Sequence, residues 1–296
     1  MRLVSYKIGT EVRAGVLVEG EIIDISRALE LEALLRGSRE GPFPPELLRL
    51  IEERDFPLKL SRALKALEEK GLTSSCAITG HIKLTAPIPR PPTFFAMARN
   101  YASHAPPPEE PIYFVKASTC VVGPEEHVIF PRFLDRVDPE AELGVVIGRP
   151  CRRVRREEAM DFVLGYTIVN DVSARNIQFK DMKGNNPVFR SKSIETFGPV
   201  GPCIVTADEI PDPHALEMTL RVNGEERMRT STSEMVHKIP ETIEAISNFM
   251  PLEAGDIIAT GTAGEMTSVS PGDLMEITIE PIGTLRNRVV AEGEGK

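Results

Sequence analysis

Glu140-Ala141-Glu142-Leu143-Gly144-Val145-Val146-Ile147-Gly148 places two carboxylates at the start of an apolar run. The run predicts a β-strand, and alternate residues of a strand point to the same face, so Glu140 and Glu142 project together. If buried side by side, the two carboxylates would repel each other and lose hydration unless a cation lay between them. An oxygen-seeking dication such as Mg²⁺ or Mn²⁺ meets that need better than Zn²⁺ does. Spacing alone favours the other arrangement, in which both carboxylates face solvent from a half-buried strand.

Asp171 closes a second apolar run, GYTIVND at 165–171. Here a strand gives way to a turn or a short helix, and two roles are open for the carboxylate. It can cap backbone amides at a helix start, or it can act as a third metal ligand. Taken by itself, the position favours capping.

Short strand patterns surround these two segments and predict a β-rich α+β protein. After the proline-rich passage at 86–95 they recur at 217–225, 255–262 and 272–283, with helical patterns at 155–163 and 233–250. Before it, alternating runs at 2–8 and 13–25 precede helical patterns at 29–37, 44–54 and 58–71. The proline-rich passage marks the predicted seam between a small α+β N-terminal domain (1–85) and a larger β-rich domain (90–296).

Composition narrows the class of partner. The 296 residues are 41% hydrophobic and 27% charged, which is the composition of an ordinary globular protein. A net charge of −9 argues against a nucleic-acid partner, and no apolar run approaches the roughly 20 residues that span a bilayer. The N-terminus carries no secretion signal, so a cytoplasmic location is expected. The four cysteines form no CxxC pair and are expected to be buried, reduced thiols.

Six segments, in order, resemble the motifs of the fumarylacetoacetate hydrolase family. They are ARNYASH (98–104), EAELGVVIG (140–148), GYTIVNDVSARNIQ (165–178), FRSKSIETFGPVGP (189–202), LEAGDIIATGT (252–262) and IGTLRN (282–287). The resemblance covers roughly residues 90 to 290 and is much weaker over 1–85. It implies a catalytic domain of mixed, rolled β-sheets with the site at its mouth, and a homodimer.

The resemblance also implies a set of site residues. Glu140, Glu142 and Asp171 would bind Mg²⁺ or Mn²⁺, with water completing an octahedron. Lys192 matches the family's active-site lysine, which neutralises developing oxyanion charge. The implied substrate contacts and ligand-orienting residues are Arg99, Tyr101, Arg175, Gln178 and Thr262.

His104 matches the general base of hydrolytic members, in which a nearby carboxylate orients the imidazole. Many small members carry that glutamate three residues later, where this chain has Pro107. Glu109 or Glu110 can replace it only if the loop folds back, which the three consecutive prolines oppose. This departure weakens the case for hydrolysis and leaves the metal site untouched. Smaller departures from the family pattern are Ala98, Asn176, Glu195 and Glu265.

The resemblance therefore implies a Mg²⁺- or Mn²⁺-dependent enzyme that acts on a small 2-oxoacid or acylpyruvate through a metal-chelated enolate. In the leading hypothesis His104 activates water and a carbon–carbon bond is hydrolysed. In the alternative, the same site serves an isomerase or decarboxylase of 2-hydroxyhepta-2,4-diene-1,7-dioate-type acids, an oxaloacetate decarboxylase, or a sugar-acid dehydratase. A third hypothesis is a metabolite-binding module without turnover. Lys192, His104 and Thr262 argue against it, because binding alone needs no base.

Overall fold

The computed structural model describes residues 1–53, 55–80, 82–103, 107–264 and 267–294. The strands are β1 Arg2–Ile8, β2 Glu11–Val18, β3 Glu21–Asp24, β4 Lys83–Thr85, β5 Phe94–Ala98, β6 Ile112–Lys116, β7 Val121–Val122, β8 Val128–Phe130, β9 Val137–Asp138, β10 Ala141–Ile147, β11 Val163–Asn170, β12 Ser173–Ala174, β13 Gly198–Thr206, β14 Glu217–Val222, β15 Glu225–Ser231, β16 Ile257–Ala259, β17 Leu274–Ile279 and β18 Gly283–Ala291. The helices are α1 Ile25–Leu35, α2 Leu47–Ile51, α3 Phe56–Glu69, α4 Arg175–Lys183, α5 Phe189–Lys192 and α6 Ile239–Phe249. The predicted β-rich α+β class is confirmed.

One mixed sheet of 11 strands runs through the molecule in the order β3-β2-β1-β13-β11-β10-β16-β5-β6, with β4 and β7 added at its side. The N-terminal strands are part of it, because Arg2 and Leu3 of β1 pair with Val205 and Ile204 of β13. The sheet thus crosses the seam expected near residue 86. The division into domains 1–85 and 90–296 stays a prediction.

Strand β10 lies in the middle of this sheet and is buried along its whole length. Val145 and Ile147 pack into a core formed with the second sheet and α6, whereas Val146 packs into a core formed with α1 to α3. Because both faces are covered, the strand is a continuous apolar run rather than an alternating one. Any carboxylate on this strand is therefore taken out of water.

The second sheet has five strands in the order β15-β14-β17-β18-β8. The expected hairpin turn joins β14 to β15, where Asn223 and Gly224 both adopt positive φ, as a two-residue type I′ turn requires. Helix α6 begins at Ile239 with Pro240 in its first turn, a position at which proline's missing N–H costs no hydrogen bond.

The segment 155–163 is not the expected α-helix. It forms only a 3₁₀ turn, Ala159–Phe162, before β11 begins at Val163. The carbonyl of Phe162 accepts a hydrogen bond from Gly148 N–H at the end of β10. Pairing with the sheet therefore ends the helical turn.

All four cysteines lie within the described residues, are buried and are free thiols, as expected. Within the described ranges, no helix has the length and apolar character that crossing a membrane requires.

Candidate metal centre and active site

Glu140, Glu142 and Asp171 converge at one end of β10 and β11, two central strands of the large sheet. One carboxylate oxygen from each lies within 4.8 Å of the other two, and the residues are only 7%, 1% and 1% exposed. The solvent-facing arrangement is thus wrong. The register of β10 and β11 brings the three together, since Ala141 pairs with Asn170 and the Asp171 N–H donates to the Glu140 carbonyl at 2.8 Å.

Two buried lysines hold Asp171. Lys192, the last residue of α5, donates to Asp171 Oδ2 at 2.5 Å and also to Glu140 Oε2. Lys116, the last residue of β6, donates to Asp171 Oδ1 at 2.5 Å. Helix α4 begins after Ala174 without a side-chain cap, so Asp171 is not a capping residue.

Arg175 fixes Glu140 from the other side. Its Nη2 donates to Glu140 Oε1 at 2.5 Å, its Nε to Asp138 Oδ2 at 2.9 Å and its Nη1 to Gln178 Oε1 at 2.6 Å. Asp138 is fully buried and is also held by Arg136 through bonds of 2.8 and 3.0 Å. Arg175 is therefore locked by acceptors on three sides, and it sets the direction of the Glu140 carboxylate.

Glu142 is held by a backbone amide rather than by a cation. Gly261 N–H donates to Glu142 Oε2 at 2.7 Å, from a residue at φ +93° that a side chain would strain. Asn100 supports this loop, because its amide nitrogen donates to the Thr260 carbonyl at 2.8 Å and its Oδ1 accepts from His237 N–H at 2.8 Å. The TGT motif thus supplies a backbone donor to Glu142, one of the three candidate metal ligands.

The pKa values of the Glu140 and Glu142 carboxyl groups shift in opposite directions. Burial opposes ionisation of Glu140, but Lys192 and Arg175 outweigh it and lower its pKa to about 2. Burial, with the negative charges of Asp171 and Glu140, raises the pKa of Glu142 well above its usual range. Burial also opposes the charge of Lys192, but the three carboxylates outweigh it and raise its pKa to about 12.

The donor set fits a hard dication. All three groups are carboxylates, which Mg²⁺ and Mn²⁺ prefer, and Glu142 is a buried carboxylate whose charge Lys192 and the Gly261 N–H offset only in part. Lys192 already bridges two of the three carboxylates, which shows that the cluster stabilises a positive charge placed between its members. We therefore regard Glu140, Glu142 and Asp171 as the residues that would hold the metal.

A cavity of about 1210 Å³ opens onto this cluster, and Glu140 and Glu142 lie in its wall. The expected substrate-contact residues in that wall are Arg99, Arg175, Gln178 and Thr262, together with Lys192, the expected active-site lysine. Tyr101 is placed differently: its side chain is fully buried outside the cavity wall, and its hydroxyl has no hydrogen-bond partner among the described residues. The general base expected at His104 lies outside the described residues. The catalytic and substrate-binding roles of all these residues remain predictions.

Three further residues of the site escaped sequence reasoning. Asp138 continues the alternation of Glu140 and Glu142 by one step, which was a readable signal. Lys116 ends the otherwise apolar strand IYFVK, which is a weaker signal because lysines often close exposed strands. Asn100 stands inside the ARNYASH motif, but its role depends on the distant Thr260 and His237.

Binding of Mn²⁺ to the metal-free protein is expected to release a proton wherever the pH lies below the raised pKa of Glu142, and to tighten as pH rises towards that pKa, because ligand carboxylates must be ionised. The proton comes from Glu142, whose raised pKa favours the protonated form. For the same reason Glu142 makes the metal-free fold less stable as pH rises through that pKa, which lies above the unfolded value of about 4.3. Calorimetric titrations in two buffers of different ionisation enthalpy count the proton. A pH-independent affinity with no proton release would contradict the assignment.

Proteins of known sequence resemble the chain over nearly its whole length. The oxaloacetate tautomerase YisK of Bacillus subtilis is 36% identical over an alignment of 313 positions, which covers 98% of this chain and all of that one. The maleylpyruvate hydrolase of Sphingobium sp. SYK-6, solved with manganese(II) and pyruvate, superposes with a TM-score of 0.78 at 33% identity, covering 98% of this chain and 99% of that one. The 2-hydroxyhepta-2,4-diene-1,7-dioate isomerase of Mycobacterium marinum superposes with a TM-score of 0.73 at 32% identity, covering 99% of this chain and 100% of that one.

The family model described as fumarylacetoacetate (FAA) hydrolase C-terminal matches residues 93–290, which include every residue of the carboxylate cluster and both buried lysines. That match spans more than half of the chain. The chain therefore belongs to the fumarylacetoacetate hydrolase family.

Proposed function

We propose that the chain is a Mg²⁺- or Mn²⁺-dependent tautomerase that interconverts the enol and keto forms of a small 2-oxodicarboxylate, with oxaloacetate as the reference substrate. One observation carries the choice: among the described residues that line the cavity, the carboxylates are Glu140 and Glu142, and both belong to the metal cluster. Glu109 and Glu110 are exposed and outside the described cavity wall. The carboxylate partner that a water-activating histidine needs is thus missing from the described wall, whereas enolisation needs no activated water.

The charges of the site favour a dianion. Four carboxylates, on Asp138, Glu140, Glu142 and Asp171, are matched by four cations, on Lys116, Arg136, Arg175 and Lys192. A bound dication then gives this ion-pair network an excess of two positive charges, and Arg99 in the cavity wall is a further cation, so a dicarboxylate is matched in charge. A monoanionic 2-oxoacid would leave part of that charge uncompensated.

A dication at this cluster would act as a Lewis acid that stabilises negative charge on the carboxylate and carbonyl oxygens of the substrate. Lys192 lies in the cavity wall and brings an ammonium group to the oxygen that gains charge when carbon 3 loses its proton. Gln178 accepts from Arg175 through Oε1, which in the described structure leaves its amide nitrogen to donate to the substrate. His104 is the predicted proton carrier at carbon 3.

The test is an enol-to-keto assay with purified Mn²⁺-loaded protein. The decay of freshly dissolved enol-oxaloacetate is followed by its ultraviolet absorbance, and the masses of the products are measured by mass spectrometry. Acceleration that EDTA abolishes, with a product of unchanged mass, is the expected result. Release of carbon dioxide and pyruvate would instead make the protein a decarboxylase and overturn the proposal.

Carbon–carbon hydrolysis is the second candidate, and one observation favours it. The cavity of about 1210 Å³ is larger than a four-carbon diacid fills, and its wall carries apolar side chains that suit a longer acylpyruvate. Incubation with acetylpyruvate and fumarylpyruvate decides the point: pyruvate plus a carboxylic acid, lost in a His104→Ala variant, would establish hydrolysis. Full activity of that variant would remove His104 as the base.

A further inference from the structure

Lys116 makes three hydrogen bonds from a position that no solvent reaches. Its side chain is fully buried, with the ammonium 5.8 Å from the centre of the Phe94 ring. Its Nζ donates to Asp171 Oδ1 at 2.5 Å, to the backbone carbonyl of Lys192, and to the backbone carbonyl of Phe197 at 3.1 Å. An ammonium has three donors, so Lys116 is fully satisfied.

The two lysines on Asp171 are equal in charge and in distance but not in surroundings. Lys116 and Lys192 each lie 2.5 Å from one oxygen of that carboxylate. Lys192 lies in the cavity wall, and both of its side-chain acceptors are candidate metal ligands, Glu140 and Asp171. Lys116 lies outside the described cavity wall and is anchored by two backbone carbonyls.

We infer that Lys116 is a positioning residue for the metal centre. It occupies Oδ1 of Asp171, directs Oδ2 towards Glu140 and Glu142, and ties the carboxylate to the backbone of Lys192. Lys192 is the exchangeable cation, which leaves the ligand carboxylates when a dication takes its place. The inference rests on the proposed function only in requiring that the carboxylate cluster bind a dication.

If Lys116 is removed, a purely electrostatic role and a positioning role predict opposite changes in the affinity for a dication. If its charge alone mattered, removing a positive charge next to Asp171 would make a dication bind more tightly, because like charges repel. If it orients the ligand, removing it frees Asp171 to rotate and weakens binding, typically by about 10- to 100-fold for a residue behind a ligand. For Lys192, which competes with the metal for the same oxygens, removal is expected to leave binding as tight or tighter.

The experiment measures Mn²⁺ dissociation constants by electron paramagnetic resonance of the free ion, without any substrate. We expect Lys116→Met to bind Mn²⁺ about 10- to 100-fold more weakly than the unsubstituted protein. We expect Lys192→Met to bind it at least as tightly. Unchanged or tighter binding in Lys116→Met overturns the positioning role, and weaker binding in Lys192→Met overturns the exchange of Lys192 for the metal. If the unsubstituted protein binds no Mn²⁺, the proposed function fails instead.

A matched control separates positioning from lost stability. Asp24 is fully buried and bonded to Arg13 at 2.7 Å and to Tyr6 at 2.5 Å, in the N-terminal part of the sheet. Asp24→Asn breaks a buried charge network of similar kind, so its thermal unfolding temperature should fall while Mn²⁺ affinity stays unchanged. If Lys116→Met does not fold, Lys116→Gln keeps a neutral donor at the site. It is expected to bind Mn²⁺ more weakly too, and unweakened binding would again overturn the role.

Discussion

Replacing Glu142 by glutamine is expected to weaken Mn²⁺ binding by more than about 100-fold, beyond the range seen for residues behind a ligand. Glutamine keeps the size of the side chain and an oxygen that accepts from Gly261 N–H, so the change removes charge and little else. Turnover of the enol should fall with metal occupancy. Calorimetric titration with Mn²⁺ measures the first effect, and the ultraviolet assay at several Mn²⁺ concentrations measures the second.

The stability of this variant gives a sharper check. Because burial and two neighbouring carboxylates raise the pKa of Glu142, its ionised form is unfavourable in the metal-free fold. Neutral glutamine removes that repulsion, so the metal-free variant should unfold at the same temperature as the parent or higher. Glu225→Gln, at a side chain 68% exposed on the second sheet, is the control and should bind Mn²⁺ normally. Normal Mn²⁺ affinity in Glu142→Gln would remove this residue from the metal site.

Replacing Lys192 by methionine is expected to lower kcat by about 100- to 1,000-fold, the range for losing one donor to developing oxyanion charge. Methionine fills a similar volume without the charge. The loss should appear in kcat more than in KM, because the ammonium acts on charge that develops during the reaction. Mn²⁺ should still bind, which distinguishes this variant from Glu142→Gln. Steady-state kinetics at saturating Mn²⁺ give both constants.

The metal-free form of this variant should be fragile. Removing one partner of a buried ion pair typically costs about 3–5 kcal/mol when the remaining charge is left uncompensated, and Arg175 on Glu140 and Lys116 on Asp171 reduce that cost here. Glu140 and Asp171 would both lose a partner, so Mn²⁺ should raise the unfolding temperature of Lys192→Met more than that of the parent. Lys183→Met, exposed on α4, is the matched control and should leave kcat unchanged. Turnover in Lys192→Met close to that of the parent would remove the lysine from the proposed chemistry.

The two variants together divide the site by function. Glu142→Gln should lose metal and keep a stable metal-free fold, whereas Lys192→Met should keep metal and lose catalysis. Both expectations follow from where charge is compensated: Lys192 pairs directly with Glu140 and Asp171, whereas its more distant attraction does not prevent the pKa of Glu142 from rising. A site in which both variants lost only stability would be structural rather than catalytic.

Local sequence patterns predicted most of the elements. The alternation at 2–8 is strand β1, the Asn223-Gly224 turn joins β14 to β15, and Pro240 lies in the first turn of α6. These features depend on residues a few positions apart, so the sequence contains the information. The helix predicted over 155–163 was wrong, because pairing with the distant β10 ended the helical turn after four residues.

By itself, the sequence determined that Glu140 and Glu142 share a face, since strand alternation is a local property. Spacing could not determine that this face is buried, and it favoured the solvent-facing arrangement until the family motifs were considered. Only the tertiary structure decided which groups face the two glutamates. Asp171 reaches Glu140 through the β10–β11 register, and Lys116 reaches Asp171 across 55 residues of chain. The pKa values of the carboxylates depend on those long-range neighbours, because burial and nearby charge exist only once the sheets have formed.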